Sequence, residues 1–96
     1  MSLFDNVQRY YTLKVSSLTA MDGKFQREVY EAMRRFKNED WGDVSESDKE
    51  GNNEAIKSFD MILGAYETSY GRIWIIAESS IGDEYDRLTV LFPNEY

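Results

Sequence analysis

The sequence predicts an α+β domain in which an antiparallel sheet of three to four strands carries two helices on one face. Apolar residues first alternate with period two and then recur at helical spacing, and the C-terminal third returns to strand-like segments separated by turns. Helices and strands in separate runs are typical of the α+β class. At 96 residues, the chain is expected to form a single domain, residues 1–96, around one modest core.

The first 37 residues predict a strand followed by a helix. Tyr11, Leu13 and Val15 alternate with more polar neighbours, which favours a strand over residues 10–16, and residues 17–23 are then a connection. Over residues 24–37 the period changes to that of a helix with one apolar stripe, which we expect to face the core. The stripe consists of Phe25, Val29, Ala32, Met33 and Phe36.

Ser45 predicts the start of a second helix, because its hydroxyl can cap the first turn and acidic residues follow at once. The interior of this helix is weak, since Gly51 costs about 1 kcal/mol relative to alanine. Its last turn must therefore be held by packing, for which Ala55, Ile56 and Phe59 are the available apolar residues.

The C-terminal part predicts a three-stranded meander over residues 61–68, 72–78 and 88–92. The first two strands form a hairpin around Tyr70 and Gly71, and the second is apolar on both faces and therefore central. Residues 79–86 form a polar loop before the last strand, which ends at Pro93.

The composition argues against catalysis. The chain has no histidine and no cysteine, so it lacks the usual general base, the best nucleophile and the zinc thiolates. We expect no enzymatic activity, no cofactor and no metal; a hydrolase that binds its metal through carboxylates is the one catalytic alternative. Neither a signal peptide nor the roughly 18 consecutive apolar residues of a membrane span occurs, which favours the cytoplasm.

The net charge of −7 disfavours direct binding to nucleic acid or to an anionic membrane and favours a basic protein surface as partner. Seven of the sixteen residues 39–54 are Asp or Glu. In a helix, Glu46, Glu50 and Glu54 form one row, and like charges at this spacing cost about 0.2–0.5 kcal/mol per pair. Such a row could mimic a phosphate backbone; the alternative is a solvated helix face.

Trp41 also allows two interpretations. It could anchor an interface, where tryptophan is enriched, or it could pack as a lid over the sheet. Tyr66, Tyr70 and Tyr85 could extend an interface in the same way, although nothing in the sequence selects them.

Four segments resemble a family of small proteins carried by phages, plasmids and other bacterial mobile elements. They are D-W-G-D-V-S-E-S-D-K-E-G-N-N-E-A (40–55), I-L-G-A-Y-E-T (62–68), G-R-I-W-I-I-A-E (71–78) and D-R-L-T-V-L-F-P-N-E-Y (86–96). The chain departs from the family pattern at Ala77, where threonine is usual, and in a longer loop over residues 79–85. The resemblance implies the setting of antirestriction and anti-CRISPR inhibitors, many of which are small, acidic and non-enzymatic.

We therefore expect an inhibitor that acts in the host bacterial cytoplasm on a basic, nucleic-acid-handling surface of a defence complex, with a CRISPR effector as the suspected target. The alternative is a regulatory or adaptor module of the mobile element, with a homodimer as one option, that uses an aromatic sheet face with Tyr66 and Trp74 or the basic end of the first helix. The residues expected to contact the target are Asp40, Trp41, Asp43, Glu46, Asp48, Glu50, Glu54, Asp83, Glu84 and Asp86.

Overall fold

The computed structural model describes residues 3–96, and within this range it contains three α-helices and four strands. Two short 3₁₀ turns, Ile56–Ser58 and Pro93–Glu95, follow the last helix and the last strand. In chain order the helices and strands are β1 (Gln8–Tyr11), α1 (Leu13–Met21), α2 (Gly23–Lys37), α3 (Glu46–Ala55), β2 (Ile62–Thr68), β3 (Gly71–Glu78) and β4 (Arg87–Leu91).

The four strands form one sheet in the order β1-β4-β3-β2. The pairs β2–β3 and β3–β4 are antiparallel, so the α+β class and the C-terminal meander are confirmed. The sheet is mixed and not purely antiparallel, because β1 lies parallel to β4. Hairpin turns indicate antiparallel neighbours locally, whereas a parallel neighbour is reached by a long crossover that leaves no local signal.

The strand and connection predicted over residues 10–23 are largely wrong, since β1 ends at Tyr11 and α1 occupies most of this range. Thr12 caps α1: its Oγ1 accepts a hydrogen bond from the backbone N of Val15 at 3.3 Å. Leu13 is 83% exposed, whereas Val15 is fully buried and Leu18, one turn later, packs against the core. The alternation of apolar residues therefore marked only the first turn of a helix.

The helix predicted over residues 24–37 is confirmed as α2. Asp22 caps it, with its Oδ1 accepting from the backbone N of Lys24 at 2.9 Å and of Phe25 at 3.2 Å. All five members of the predicted stripe are buried: Phe25, Val29, Ala32, Met33 and Phe36.

Helices α1 and α2 cover one face of the sheet, and both contribute to a single buried cluster. On that face β3 presents Ile73, Ile75 and Ala77, each fully buried. Trp74 and Ile76 point to the opposite face, so β3 is an inner strand with apolar residues on both sides, as predicted. Among residues 3–96, no helix has the length and apolar character that a membrane crossing requires.

Helix α3 begins as predicted, with Ser45 Oγ accepting a hydrogen bond from the backbone N of Asp48 at 3.0 Å. Gly51 lies on its exposed side, and a Cβ atom there would meet nothing within 4 Å. We expect Gly51→Ala to raise the free energy of unfolding by about 0.5–1 kcal/mol, because alanine favours the helix and restricts the unfolded chain. Urea denaturation measures the change.

Gly64→Ala is the matched control, since a Cβ at Gly64 would lie 2.7 Å from Tyr66 Oη and 2.9 Å from Phe36 Cδ2. This variant should lose stability because the added methyl overpacks the core. A loss of stability in Gly51→Ala would contradict an exposed, unobstructed position in α3.

Candidate functional site

The acidic segment, residues 39–54, runs from the loop after α2 through most of α3 and lies along the outer edge of β2. Glu39 ends α2 in the left-handed conformation, with φ of 61°. The loop then pairs with the strand: Ala65 N donates to Trp41 O at 3.0 Å, and Asp43 N donates to Ala65 O at 2.7 Å. The loop therefore satisfies backbone groups of β2 that point away from the sheet.

Gly42 makes this approach possible. Its φ of +76° lies in the left-handed region, and a Cβ atom there would lie 2.0 Å from the carbonyl oxygen of Ala65. A side chain at this position would clash with the backbone of β2, so the loop can follow the strand edge only with glycine.

Asn52, on α3, bonds to the next part of the same edge of β2. Its Nδ2 donates to the carbonyl oxygen of Leu63 at 2.9 Å, and its Oδ1 accepts from the backbone N of Leu63 at 3.4 Å. The side chain is 8% exposed and takes the place of a strand neighbour. Together with the loop, Asn52 covers the outward groups at Leu63 and Ala65, which blocks strand addition at this part of β2.

The sequence alone assigns no role to Asn52. The available signal is its position: asparagine is a poor helix former, and it stands on the side of α3 away from the acidic row. A poor helix former on the inward side of a helix needs a bonding reason, and here the reason is the edge of β2.

Trp41 is 3% exposed and packs edge-to-face on Phe36, with ring centroids 5.1 Å apart. Its Nε1 donates to Asn53 Oδ1 at 3.1 Å, which fastens the loop to α3. Of the two interpretations of Trp41, this burial fits the lid and leaves no ring surface for a partner. Its indole ring holds the acidic segment in place.

Asp40 is occupied within the protein. Its carboxylate pairs with Arg35 at 2.8 Å and accepts from the backbone N of Gly42 at 3.1 Å, and both contacts lower its pKa, the Arg35 bond most. The carbonyl oxygen of Asp40 accepts from Tyr66 Oη at 2.7 Å. Burial raises the pKa of that Tyr66 hydroxyl, and at 2% exposure the side chain belongs to the core and not to an interface.

The acidic row formed by Glu46, Glu50 and Glu54 is exposed on α3, on the side away from Asn52. Glu46 pairs with Lys49 at 3.2 Å and Glu54 with Lys57 at 3.1 Å, while Glu50 has no ion pair within residues 3–96. Neighbouring Cβ atoms at this spacing lie about 5–6 Å apart. The backbone of the row is held in place, because Asn52 on the opposite side of the helix is bonded to β2 and Asn53, on the flank of the row, is bonded to Trp41.

The other predicted contact residues, Asp83, Glu84 and Asp86, lie in the loop before β4 and differ in their roles. Asp86 accepts from the backbone N and the Oγ of Ser80, both at 3.0 Å, and so closes the loop. Tyr85 is 1% exposed, and its hydroxyl donates to Asp60 O at 2.7 Å; burial raises its pKa to about 12. Asp83 and Glu84 remain exposed on a loop that Tyr85 fastens to the chain just after α3.

Eight of the ten predicted contact residues are exposed, but one of them, Asp40, is held by Arg35 and Gly42, while Trp41 is buried and Asp86 closes its loop. Seven exposed residues therefore remain accessible. The accessible ones are Asp43, Glu46, Asp48, Glu50, Glu54, Asp83 and Glu84.

Within residues 3–96, no group of three or more Asp, Glu, His or Cys side chains is arranged to hold a metal ion. The fold and the contacts between α3 and β2 together define a small α+β domain with an acidic helix fixed on the edge of its sheet. Comparison of the chain with protein-family models, with curated proteins and with solved structures gives no match. The resemblance to mobile-element proteins therefore stays a prediction.

Proposed function

We propose that this protein is a small, acidic, non-enzymatic inhibitor from a phage or mobile element that binds a basic, nucleic-acid-handling surface of a bacterial defence complex. The observation that supports it most is the row of Glu46, Glu50 and Glu54 on the outer side of a helix whose inner side is bonded to the sheet. A rigid row of carboxylates presents negative charge at fixed spacing, as a nucleic-acid strand does.

The ion pairs of the row do not oppose this function. Glu54 and Lys57 have side chains that are 71% and 72% exposed, and the pair of Glu46 with Lys49 is also at the surface. Exposed pairs of this kind contribute about 0.2–1 kcal/mol at most. An arginine or lysine of a partner can therefore replace either lysine at little cost, while Glu50 is free to accept a partner cation directly.

We propose a CRISPR effector as the target, on the basis of the resemblance of residues 40–96 to mobile-element proteins. Asp83 and Glu84 supply a second contact on the loop beside the end of α3. Association steered by charge is fast and weakens as salt rises, because the Debye length falls to about 8 Å at physiological ionic strength.

The test compares the wild-type protein with the triple variant Glu46→Gln, Glu50→Gln and Glu54→Gln. Each is expressed in bacterial strains that carry a single defence system, including individual CRISPR types, and phage plaques are counted. We expect wild type to restore plaques in one strain and the triple variant to lose this activity. The free energy of unfolding should change by less than about 1 kcal/mol, because the removal of like-charge repulsion along the row offsets the loss of the surface ion pairs of Glu46 and Glu54.

The matched control neutralises three glutamates outside the row, the exposed Glu31 and Glu67 and the half-buried Glu78, each of which pairs with an arginine. This variant changes the net charge by the same amount and should retain inhibition. A pull-down with both triple variants as baits then identifies the target by mass spectrometry. Full inhibition by the row variant would contradict the proposal.

A second candidate is the adaptor or homodimer that uses the second face of the sheet, on the side away from α1 and α2. On this face Trp74 is only half buried, and its one aromatic neighbour in the described chain is Tyr96, at 5.8 Å. Tyr66 does not belong to this face, since it lies in the core. Loss of binding in Trp74→Gln, with the row variant unaffected, would favour this candidate.

A further inference from the structure

The two edges of the sheet differ in whether their outward backbone groups are bonded. The edge at β2 is covered by the loop and Asn52, whereas β1 forms the opposite edge. Gln8 N donates to Asp86 O at 2.8 Å and Thr12 N donates to Val90 O at 3.2 Å. Because backbone groups alternate along a strand, the N–H and C=O groups of Arg9 and Tyr11 point away from β4. Within residues 3–96 no backbone group bonds to them.

A groove with a volume of about 580 Å³ lies next to this open edge, between β1, α1 and α2. Its floor is apolar, with Val29 and Met33 from the stripe of α2. Tyr11 and Tyr30 stand at its rim and are 43% and 69% exposed. A strand added at β1 would point every second side chain into this groove, because side chains alternate between the two faces of a sheet.

The groove is cationic although the protein as a whole is acidic. Arg9, Arg34 and Lys37 line it, and no carboxylate of the described chain does. Arg34 pairs with Glu31 at 2.9 Å, whereas Arg9 and Lys37 make no ion pair within residues 3–96. Burial makes the largest contribution to a lowered pKa of Lys37. The charge of Arg9 lowers this pKa further, whereas the charge of Asp5 raises it. An anion in the groove would relieve the repulsion between these cations.

We propose that the open edge of β1 and its groove bind an extended acidic segment of a partner protein, which adds to the sheet as a fifth strand. The main-chain groups of Arg9 and Tyr11 would hold its backbone, and alternate carboxylates would meet Arg9, Lys37 and Arg34. Main-chain bonds give affinity in this mode, and the side-chain pockets give specificity. The inference is independent of the proposed inhibitor function, since it uses the opposite edge of the sheet.

A second copy of the chain fits this edge less well than an acidic segment. In a two-fold, antiparallel pairing of two β1 strands, Arg9 of each copy would lie beside the cationic groove of the other copy. Like charges across adjacent strands are destabilising. Strand β1 itself carries no acidic residue that could offset the positive charge of the second copy.

The experiment uses the full chain and a displayed library of random octapeptides. Peptides selected on the wild-type protein should carry Asp or Glu at alternate positions, and synthetic copies should bind in fluorescence anisotropy. Lys37→Glu should weaken binding at least about tenfold, as expected for a close charge pair at an interface. Lys57→Glu, which makes the same change in net charge outside the groove, should leave it unchanged.

Two further measurements test the edge itself. Hydrogen exchange at the Arg9 and Tyr11 amides of the wild-type protein should slow when a selected peptide is bound. Tyr11→Pro, which removes an outward N–H, should abolish binding, whereas Tyr11→Val, which keeps the N–H, should not abolish it. Selection of peptides without acidic residues, or unchanged exchange at both amides, would overturn the proposal. A dimer in light scattering that Tyr11→Pro dissociates would assign the edge to a second copy and overturn it as well.

Discussion

Gly42→Ala is expected to lower the free energy of unfolding by about 3 kcal/mol or more, because both the backbone conformation and the surroundings of Gly42 exclude a side chain. The left-handed conformation at Gly42, with φ of +76°, costs an alanine about 1–2 kcal/mol. The new Cβ would also lie 2.0 Å from the backbone oxygen of Ala65, which cannot move without disturbing β2. Relief of that contact must shift the loop away from the strand.

Displacement of the loop breaks the two hydrogen bonds that join it to Ala65, each worth about 0.5–1.5 kcal/mol net. It also moves Trp41, which is buried against Phe36. Urea denaturation followed by tryptophan fluorescence measures both effects, because the two tryptophans of the chain are Trp41 and Trp74.

Gly82→Ala is the control that separates backbone strain from the clash. Its φ of +82° is close to that of Gly42, but a Cβ there would meet nothing within 4 Å. This variant should lose only the conformational contribution, about 1–2 kcal/mol. Equal losses in the two variants would mean that the loop does not need its close approach to β2.

The sequence predicts the parts of the fold that rest on local signals. The stripe of α2, the cap at Ser45 and the hairpin of β2 and β3 each depend on residues within a few positions of one another, and all three are present. The parallel pairing of β1 with β4 joins residues about eighty positions apart, such as Gln8 and Arg87, so it depends on the whole chain. Helix α1 gives a weak signal in the sequence, because its apolar residues do not share one face: Val15 is buried, whereas Leu13 and Met21 face solvent.

The candidate site also contains features that local spacing predicts and features that depend on the whole fold. The exposed row of Glu46, Glu50 and Glu54 follows from helical spacing alone, which the sequence contains. The bonds of Asn52 to Leu63 and the burial of Trp41 depend on where β2 lies in space. Residues of the acidic segment therefore serve two purposes: some fix the segment to the edge of the sheet, and others face outward and are free to bind.

Asn52→Asp is the sharpest test of the covered edge. At pH 7 the introduced carboxylate can accept from the backbone N of Leu63 but cannot donate to its carbonyl oxygen, 2.9 Å from the present Nδ2. Two acceptors would then face each other at a position that is 8% exposed. We expect a loss of about 2–3 kcal/mol in the free energy of unfolding, since an unsatisfied buried polar group costs about 1–3 kcal/mol and a charged one more.

The loss should depend on pH in a defined direction. A protonated carboxyl can donate to Leu63 O, so folding favours the neutral form and raises the pKa of the introduced group above its unfolded value of about 3.9. The folded state then binds more protons than the unfolded state, and the stability of the variant relative to wild type falls as pH rises through this range. Below about pH 3.9 the difference from wild type should be smallest.

Asn53→Asp places the same charge one residue further along α3 and serves as the control. Asn53 is exposed, and its Oδ1 accepts from Trp41 Nε1, a role that a carboxylate oxygen can fill in either protonation state. This variant should stay within about 0.5 kcal/mol of wild type and keep that difference across the same pH range. If the two variants behaved alike in urea denaturation from about pH 3 to pH 7, a range that spans the unfolded pKa, the amide of Asn52 would not be what covers β2. If they diverge as expected, one helix side chain covers the outward groups of Leu63, and the same helix can present its acidic row without opening that edge to other strands.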